Sequence, residues 1–180
     1  MTEIRLPMAS GQTFAPLAPC LEDLRVRDLA QGLGNLCRFG GQCRTFYSVA
    51  QHSILVGLHL PAAHRFAGLL HDAPEVPLGG DMISPMKQVY PGRQAQERVL
   101  ASFLAEAWDY DPMPPELDLV DRRALATEVR DLMPRETWHS FGSLPPPWSE
   151  QIVPWPPDQA RALWLDHFLR WCPDLSRVAM

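Results

Sequence analysis

Apolar side chains recur along this chain at three- and four-residue steps, in windows closed by proline or glycine, and nowhere alternate over a strand's length. Such a pattern constrains the chain to amphipathic helices and leaves no sheet to build on. The spacing predicts a helix over 22–36, with Leu24, Val26, Leu29, Leu33 and Leu36 inward, broken by Arg38-Phe39-Gly40-Gly41-Gln42. Ser48-Val49-Ala50-Gln51 is a capping-box pattern: the Ser48 hydroxyl accepts from the Gln51 amide while Gln51 reaches back. A helix over 49–60 follows, stopped at Pro61. A third, over 62–73, is expelled from regular geometry by Pro74 and Pro77, each of which removes an amide donor. Further helices are expected over 94–108 and 117–132, and a last one capped by Asp158 and ending near Cys172. Residues 1–20 read as an irregular arm or short hairpin, and the proline-crowded stretch 143–157 as a surface wrap. The expected fold is all-α.

A chain of 180 residues is most simply one domain. Its core is expected over about 22–132, with 133–180 a Pro/Trp-rich extension carrying the terminal helix. Five tryptophans there (Trp138, Trp148, Trp155, Trp164, Trp171) read as packing or an oligomer contact. A net charge of -5 argues against broad binding to nucleic acid, though it leaves room for a local basic pocket around a small phosphorylated ligand. Cys20, Cys37, Cys43 and Cys172 form no CxxC pair, and Met1-Thr2-Glu3-Ile4-Arg5 is not a signal sequence, so the cysteines read as reduced, neutral thiols of a cytoplasmic protein. No apolar run reaches membrane-spanning length. Arginine outnumbers lysine fifteen to one, and the single lysine, Lys87, follows six residues after Asp81. Codon bias accounts for the imbalance; a role that arginine cannot fill is the alternative for Lys87.

Chemistry concentrates in Leu70-His71-Asp72-Ala73-Pro74-Glu75, then Gly80-Asp81 and Pro85-Met86-Lys87. So much ionisable chemistry behind an apolar segment calls for a cation or a reaction to offset its desolvation. A water-activating metal wants histidine and carboxylate ligands converging from separate elements. Three predicted helices offer them: His52 on one, His71 and Asp72 at the end of the next, and Asp118 or Asp121 on a later one.

Over roughly residues 22–130 the sequence resembles the HD-domain phosphohydrolases, whose pattern is His … His-Asp … Asp. It is closest to the compact branch of bacterial 5′-deoxynucleotidases and phage-encoded deoxynucleotide phosphohydrolases, including small dATP triphosphohydrolases. The matching pieces are Cys37 to Gly41, Arg44, Phe46 to Ser53, Leu70 to Glu75, Gly80-Asp81, Pro85 to Lys87 and Val120 to Ala124. The resemblance implies one or more divalent ions (Zn, Mn, Co or Mg) held by His52, His71, Asp72 and Asp121, with Asp118 the alternative to Asp121. It implies Glu75 as the acid working with water, and Asp81 as a second acid that orients the water, protonates the leaving group or helps hold a second ion. Arg38, Arg44 and Lys87 would neutralise phosphate charge. Phe39 falls where relatives place an aromatic beside the sugar, with Gly41 nearby. The implied activity is hydrolysis of deoxynucleotides, either triphosphate to deoxynucleoside plus triphosphate or monophosphate to deoxynucleoside plus phosphate. The resemblance further implies a homo-oligomer in the cytoplasm, the host's if the chain is phage-encoded.

Plainer readings stand beside these. His52 alone is a polar residue of a helix N-terminus, Arg44 a solvated charge, and Asp81 with Lys87 a surface ion pair worth little. His59, His64, His139 and His167 match no motif and read as surface or interfacial. Rival functions are a non-catalytic nucleotide- or metal-binding module, and a phosphodiesterase for cyclic nucleotides or oligonucleotides.

Overall fold

The structure, a computed structural model, describes residues 4–82 and 89–180. Among them the chain is all-α, apart from an isolated bridge and a two-residue antiparallel hairpin of β1 (Leu6–Pro7) and β2 (Thr13–Phe14). Its helices are α1 (Val26–Asn35), α2 (Val49–His59), α3 (Arg65–Leu70), α4 (Pro91–Trp108), α5 (Leu117–Leu132) and α6 (Pro157–Trp171). Short 3-10 turns link them, including Ala73–Leu78 after α3 and Arg135–Phe141 after α5. No helix among the described residues is long and apolar enough to cross a membrane.

Helix α2 is the axis of the bundle, lying against α1, α3, α5 and α6. It is apolar on nearly every face, which suits a helix enclosed by others. Ser48 caps it by accepting from the Gln51 amide at 3.1 Å. The reciprocal half of the predicted capping box is not made. Gln51 instead gives its side-chain amide to Val153 O at 2.9 Å and accepts from the Trp155 amide at 2.8 Å. The irregular segment around Val153 has no ladder to satisfy its backbone, and the Gln51 carboxamide matches both a donor and an acceptor there.

Four predicted boundaries move, and one is simple: α4 starts at Pro91, with proline at its first position, rather than at residue 94. Helix α1 starts at Val26 rather than residue 22, because Arg25 is extended (φ -122°, ψ 125°) and the Val26 amide donates to Ala179 O near the chain end, at 3.0 Å. The helix predicted over 62–73 is a 3-10 turn, Ala62–His64, followed by the short α3, and it ends at His71 ahead of Pro74. Asp158 lies in the first turn of α6 and not at its cap; Pro156 holds that place, and Pro157 supplies the preset φ of a first helical residue.

The core extends past the predicted 22–132. Trp164 and Phe168 of α6 are fully buried and join Leu29, Leu33, Ile54, Leu69 and Trp108 in one cluster. Phe168 meets Phe66 and Trp108 edge-on at centroid distances of 5.2 and 5.0 Å. A second, smaller cluster (Val56, Leu60, Leu117, Ala124, Trp148) seats α5 on α2. The terminal helix is therefore structural core.

Candidate metal centre

Two glycines set the distance between the histidine-bearing elements. A Cβ at Gly68 of α3 would stand 2.8 Å from Gly57 Cα and 2.9 Å from Gly57 N, so α2 and α3 touch backbone to backbone. That close approach brings His52, in the first turn of α2, to His71, the C-terminal cap of α3: their Nε2 atoms are 3.2 Å apart. Asp72 follows at the start of the 73–78 turn, with Oδ2 3.5 Å from His52 Nε2 and 3.4 Å from His71 Nε2. On α5, Asp121 shares a face with Leu117 and Ala124, which pack on α2. Its Oδ1 lies 3.1 Å from His52 Nε2 and 3.7 Å from His71 Nε2. Asp118 is exposed one turn earlier. With the Asp121 side chain 40% exposed and His52 fully buried, the centre opens to solvent on its α5 side.

The outer ring nitrogens decide which atoms face inward. His71 Nδ1 is 2.7 Å from Gly68 O, and a carbonyl only accepts, so Nδ1 carries a proton there. His52 Nδ1 is 2.5 Å from Glu128 Oε1, again an acceptor. In their neutral forms both rings then present bare Nε2 lone pairs to each other and to two carboxylates. Acceptors so placed cannot bond to one another; either a proton on a ring nitrogen or a metal ion between them satisfies them. Without an ion, the surrounding carboxylates favour the protonated rings. Burial and Arg38 work against charging His52, yet Glu128 and Asp121 outweigh them and push its pKa up to about 10. Burial likewise opposes charging of His71, and Asp72 with Asp121 raises it. Against their own burial, Asp72 is held low by His71, His52 and Arg38, and Asp121 well below the carboxylate range by both imidazoles. Among the described residues three carboxylates (Asp72, Asp81, Glu128) face the Arg38 guanidinium, and a fourth, Asp121, faces the two imidazoles. Ligand atoms held about 2.1 Å from one ion at tetrahedral or octahedral angles stand roughly 3.0–3.4 Å apart, close to the spacings here. The His52, His71 and Asp72 ligand atoms all lie within 4.8 Å of one another, a group compatible with a divalent metal ion.

Arg38 occupies the other side of the centre. Its Nη1 is 3.4 Å from Asp72 Oδ2 and 3.8 Å from Asp81 Oδ2, and its Nη2 is 3.3 Å from Glu128 Oε2. Burial disfavours its charge, but Glu128, Asp72 and Asp81 hold its pKa well above the ordinary value. It is carried by a strained loop: Phe39, Gly40 and Gly41 take left-handed φ of 58°, 59° and 80° in succession. For Phe39 that conformation costs about 1–2 kcal/mol. The loop is pinned by the Arg38 amide on Tyr47 O at 2.9 Å and by the Cys37–Ser48 bridge. Phe39 meets Phe141 edge-on at 5.8 Å, with the Arg38 guanidinium 5.7 Å from its ring centre.

Of the remaining predicted residues, Glu75 is buried in the 73–78 turn, its amide donating to Asp72 O at 3.1 Å. Gly79 and Gly80, at φ 90° and 119°, turn the chain back so that Asp81 reaches Arg38. Gly41 and Arg44 are exposed; what holds Arg44 in place is its backbone amide, on Leu132 O at 3.0 Å. Lys87 lies outside the described residues. Cys37 and Cys43 are half-buried thiols 3.7 Å apart, and burial together with Cys37 pushes Cys43 up to about 12. Away from the centre, the partly exposed His59 pairs with Glu150 at 2.6 Å and His64 with Glu116 at 2.9 Å.

No protein-family model matches the chain. It is 31% identical over 150 residues to the uncharacterized protein YfdR of Escherichia coli K12, covering 82% of this chain and 84% of that one. The chain belongs to the YfdR family. It is also 43% identical over 89 residues to the uncharacterized protein RCAP_rcc00048 of Rhodobacter capsulatus, which covers 44% of this chain and 45% of that protein.

In this YfdR-family chain, sequence reasoning missed Glu128. It is fully buried, hydrogen-bonded to His52 and ion-paired with Arg38. The available signal was its position seven residues after Asp121, two turns along the same inward stripe through Ala124. Tyr47, buried beside Glu128, was missed too; burial and that carboxylate keep its phenol protonated.

Proposed function

We propose that this chain is an HD-type, metal-dependent phosphohydrolase acting on deoxynucleotides. One observation carries the reading: Asp72 Oδ2 is shared between the two imidazoles of a cation-demanding cluster and the Arg38 guanidinium. Such a site accepts a positive ion on one side and anionic oxygens on the other, which is what a phosphoester needs.

His52, His71 and Asp72, with Asp121 as fourth ligand, would hold the ion, of which Zn, Mn, Co and Mg are the candidates. Bound there, it supplies Lewis-acid polarisation of a phosphoryl oxygen and of water. Arg38 takes charge that builds on the phosphate oxygens, releasing some of its hold on Asp72 and Asp81 to do so. Glu75 takes the proton of the attacking water at its carboxylate. Asp81 orients that water or returns a proton to the leaving deoxynucleoside oxygen. Phe39, propped by Phe141, offers a ring edge to the sugar. Attack on a monophosphate releases phosphate; attack at the α-phosphorus of a triphosphate releases triphosphate.

Incubation with deoxyadenosine mono- and triphosphate in the presence of Mn, Co, Zn or Mg, with identification of the phosphate product, tests the proposal and separates the two routes. Metal bound without turnover of any nucleotide sinks it in favour of a binding module. Turnover confined to cyclic nucleotides or oligonucleotides favours a phosphodiesterase.

A further inference from the structure

We infer that Glu128 is the positioning residue of the centre, one carboxylate that sets the face His52 turns to the ion and holds Arg38 in the path of the phosphate. The inference rests on the metal-dependent reading above and extends it to a residue outside the resemblance pattern. Oε1 is 2.5 Å from His52 Nδ1, and Oε2 is 3.3 Å from Arg38 Nη2. Each oxygen thus has its own partner. Both Glu128 and His52 are fully buried, so no water competes for either bond. An ionised carboxylate at such depth is costly to desolvate, and an apolar side chain would serve α5 packing better. What Glu128 supplies is two anionic acceptors in one plane.

The first acceptor keeps the proton of His52 on Nδ1, leaving Nε2 bare toward His71 and Asp72. Carboxylates behind metal-bound histidines act in this way, and losing one weakens metal binding by about 10–100-fold. The second acceptor anchors one end of the Arg38 guanidinium, whose other end reaches Asp72 and Asp81. Through Glu128 the ion ligand and the phosphate-facing cation share a support. A glutamine is isosteric but not equivalent. If its oxygen faces His52, its NH2 confronts the Arg38 donors; if it is turned over, its NH2 drives the His52 proton to Nε2, where the ion belongs.

The test uses the full-length protein. In wild type loaded with Zn(II) and labelled with 15N-histidine, His52 is expected to carry its proton on Nδ1, with a far-downfield 1H resonance; a proton on Nε2 overturns the inference. In Co(II) titrations Glu128→Gln is expected to bind about 10–100-fold more weakly than wild type. The Zn(II)-loaded variant is also expected to lose affinity for inorganic phosphate, with Glu128→Asp recovering part of both. A folded Glu128→Gln variant that binds Co(II) as wild type does, with the His52 resonance unmoved, overturns it. Should that variant not fold, the wild-type resonance decides alone. Wild type that binds neither Co(II) nor Zn(II) overturns the metal reading itself, a result distinct from each of these.

Discussion

At the scale of single residues, the centre is organised by which atoms are already spoken for. His71 gives Nδ1 to Gly68 O and His52 gives Nδ1 to Glu128, so the faces left over converge as acceptors. Glu75 is a buried acid on the turn that follows Asp72. Its proposed work is proton transfer, not ion binding. Glu75→Gln is therefore expected to lower turnover by about 10²–10⁴-fold while leaving Co(II) affinity unchanged; steady-state kinetics beside calorimetry would separate the two. Equal losses in both would make Glu75 a ligand.

At the scale of elements, the contact between α2 and α3 sets the histidine spacing. Gly68→Ala places a methyl within 3 Å of the Gly57 backbone, which cannot yield as a side-chain tip can. A loss of about 1–3 kcal/mol in denaturant unfolding is expected, with weaker metal binding as the helices part. Gly92→Ala in α4, where a Cβ meets nothing within 4 Å, is the control and should not destabilise. A second joint ties α5 to the proline-rich segment. Arg130 donates to Glu150 O at 2.7 Å and pairs with Asp131, which accepts from the Ile152 amide at 2.9 Å. The Arg130 bond, with that amide, holds the Asp131 pKa below its usual value of 3.8. Its stabilising contribution is thus present above pH 3.8 and lost as pH falls through the folded value. Asp131→Asn should cost about 1 kcal/mol at pH 7 and nothing in strong acid, as urea melts at the two pH values would show. A deficit that persists undiminished in acid would rule out the charge as its source.

For the whole molecule, a metal that binds the folded chain and not the unfolded one raises its stability by mass action. At a hundredfold excess over Kd the gain is about 2.7 kcal/mol, or roughly 5–10 °C in Tm for a chain of this size. Chelation should lower the melting temperature by that amount, and Co(II) or Zn(II) should restore it, in calorimetry of the wild type. The His52→Ala and Asp72→Ala variants should show no such response. An identical rise in those variants would place the ion elsewhere.

Much of this molecule was legible along the chain because the interactions responsible are local. Helical periodicity, the Ser48 cap and the prolines that end α3 depend on neighbours a few residues away. The convergence of His52, His71 and Asp72, with Asp121 beside them, was legible for another reason: the resemblance rests on a pattern of residue types, and such a pattern survives without coordinates. Tertiary structure alone decided what depends on partners far apart in sequence. Gln51 bonds a segment a hundred residues on instead of closing its own box, Val26 yields its amide to Ala179, and α6 enters the core through Trp164 and Phe168. Glu128 is the plainest case. In sequence it is one more acid on a helix, and it gains its role when α5 packs on α2 and shuts water out, leaving its two oxygens with His52 and Arg38 as partners.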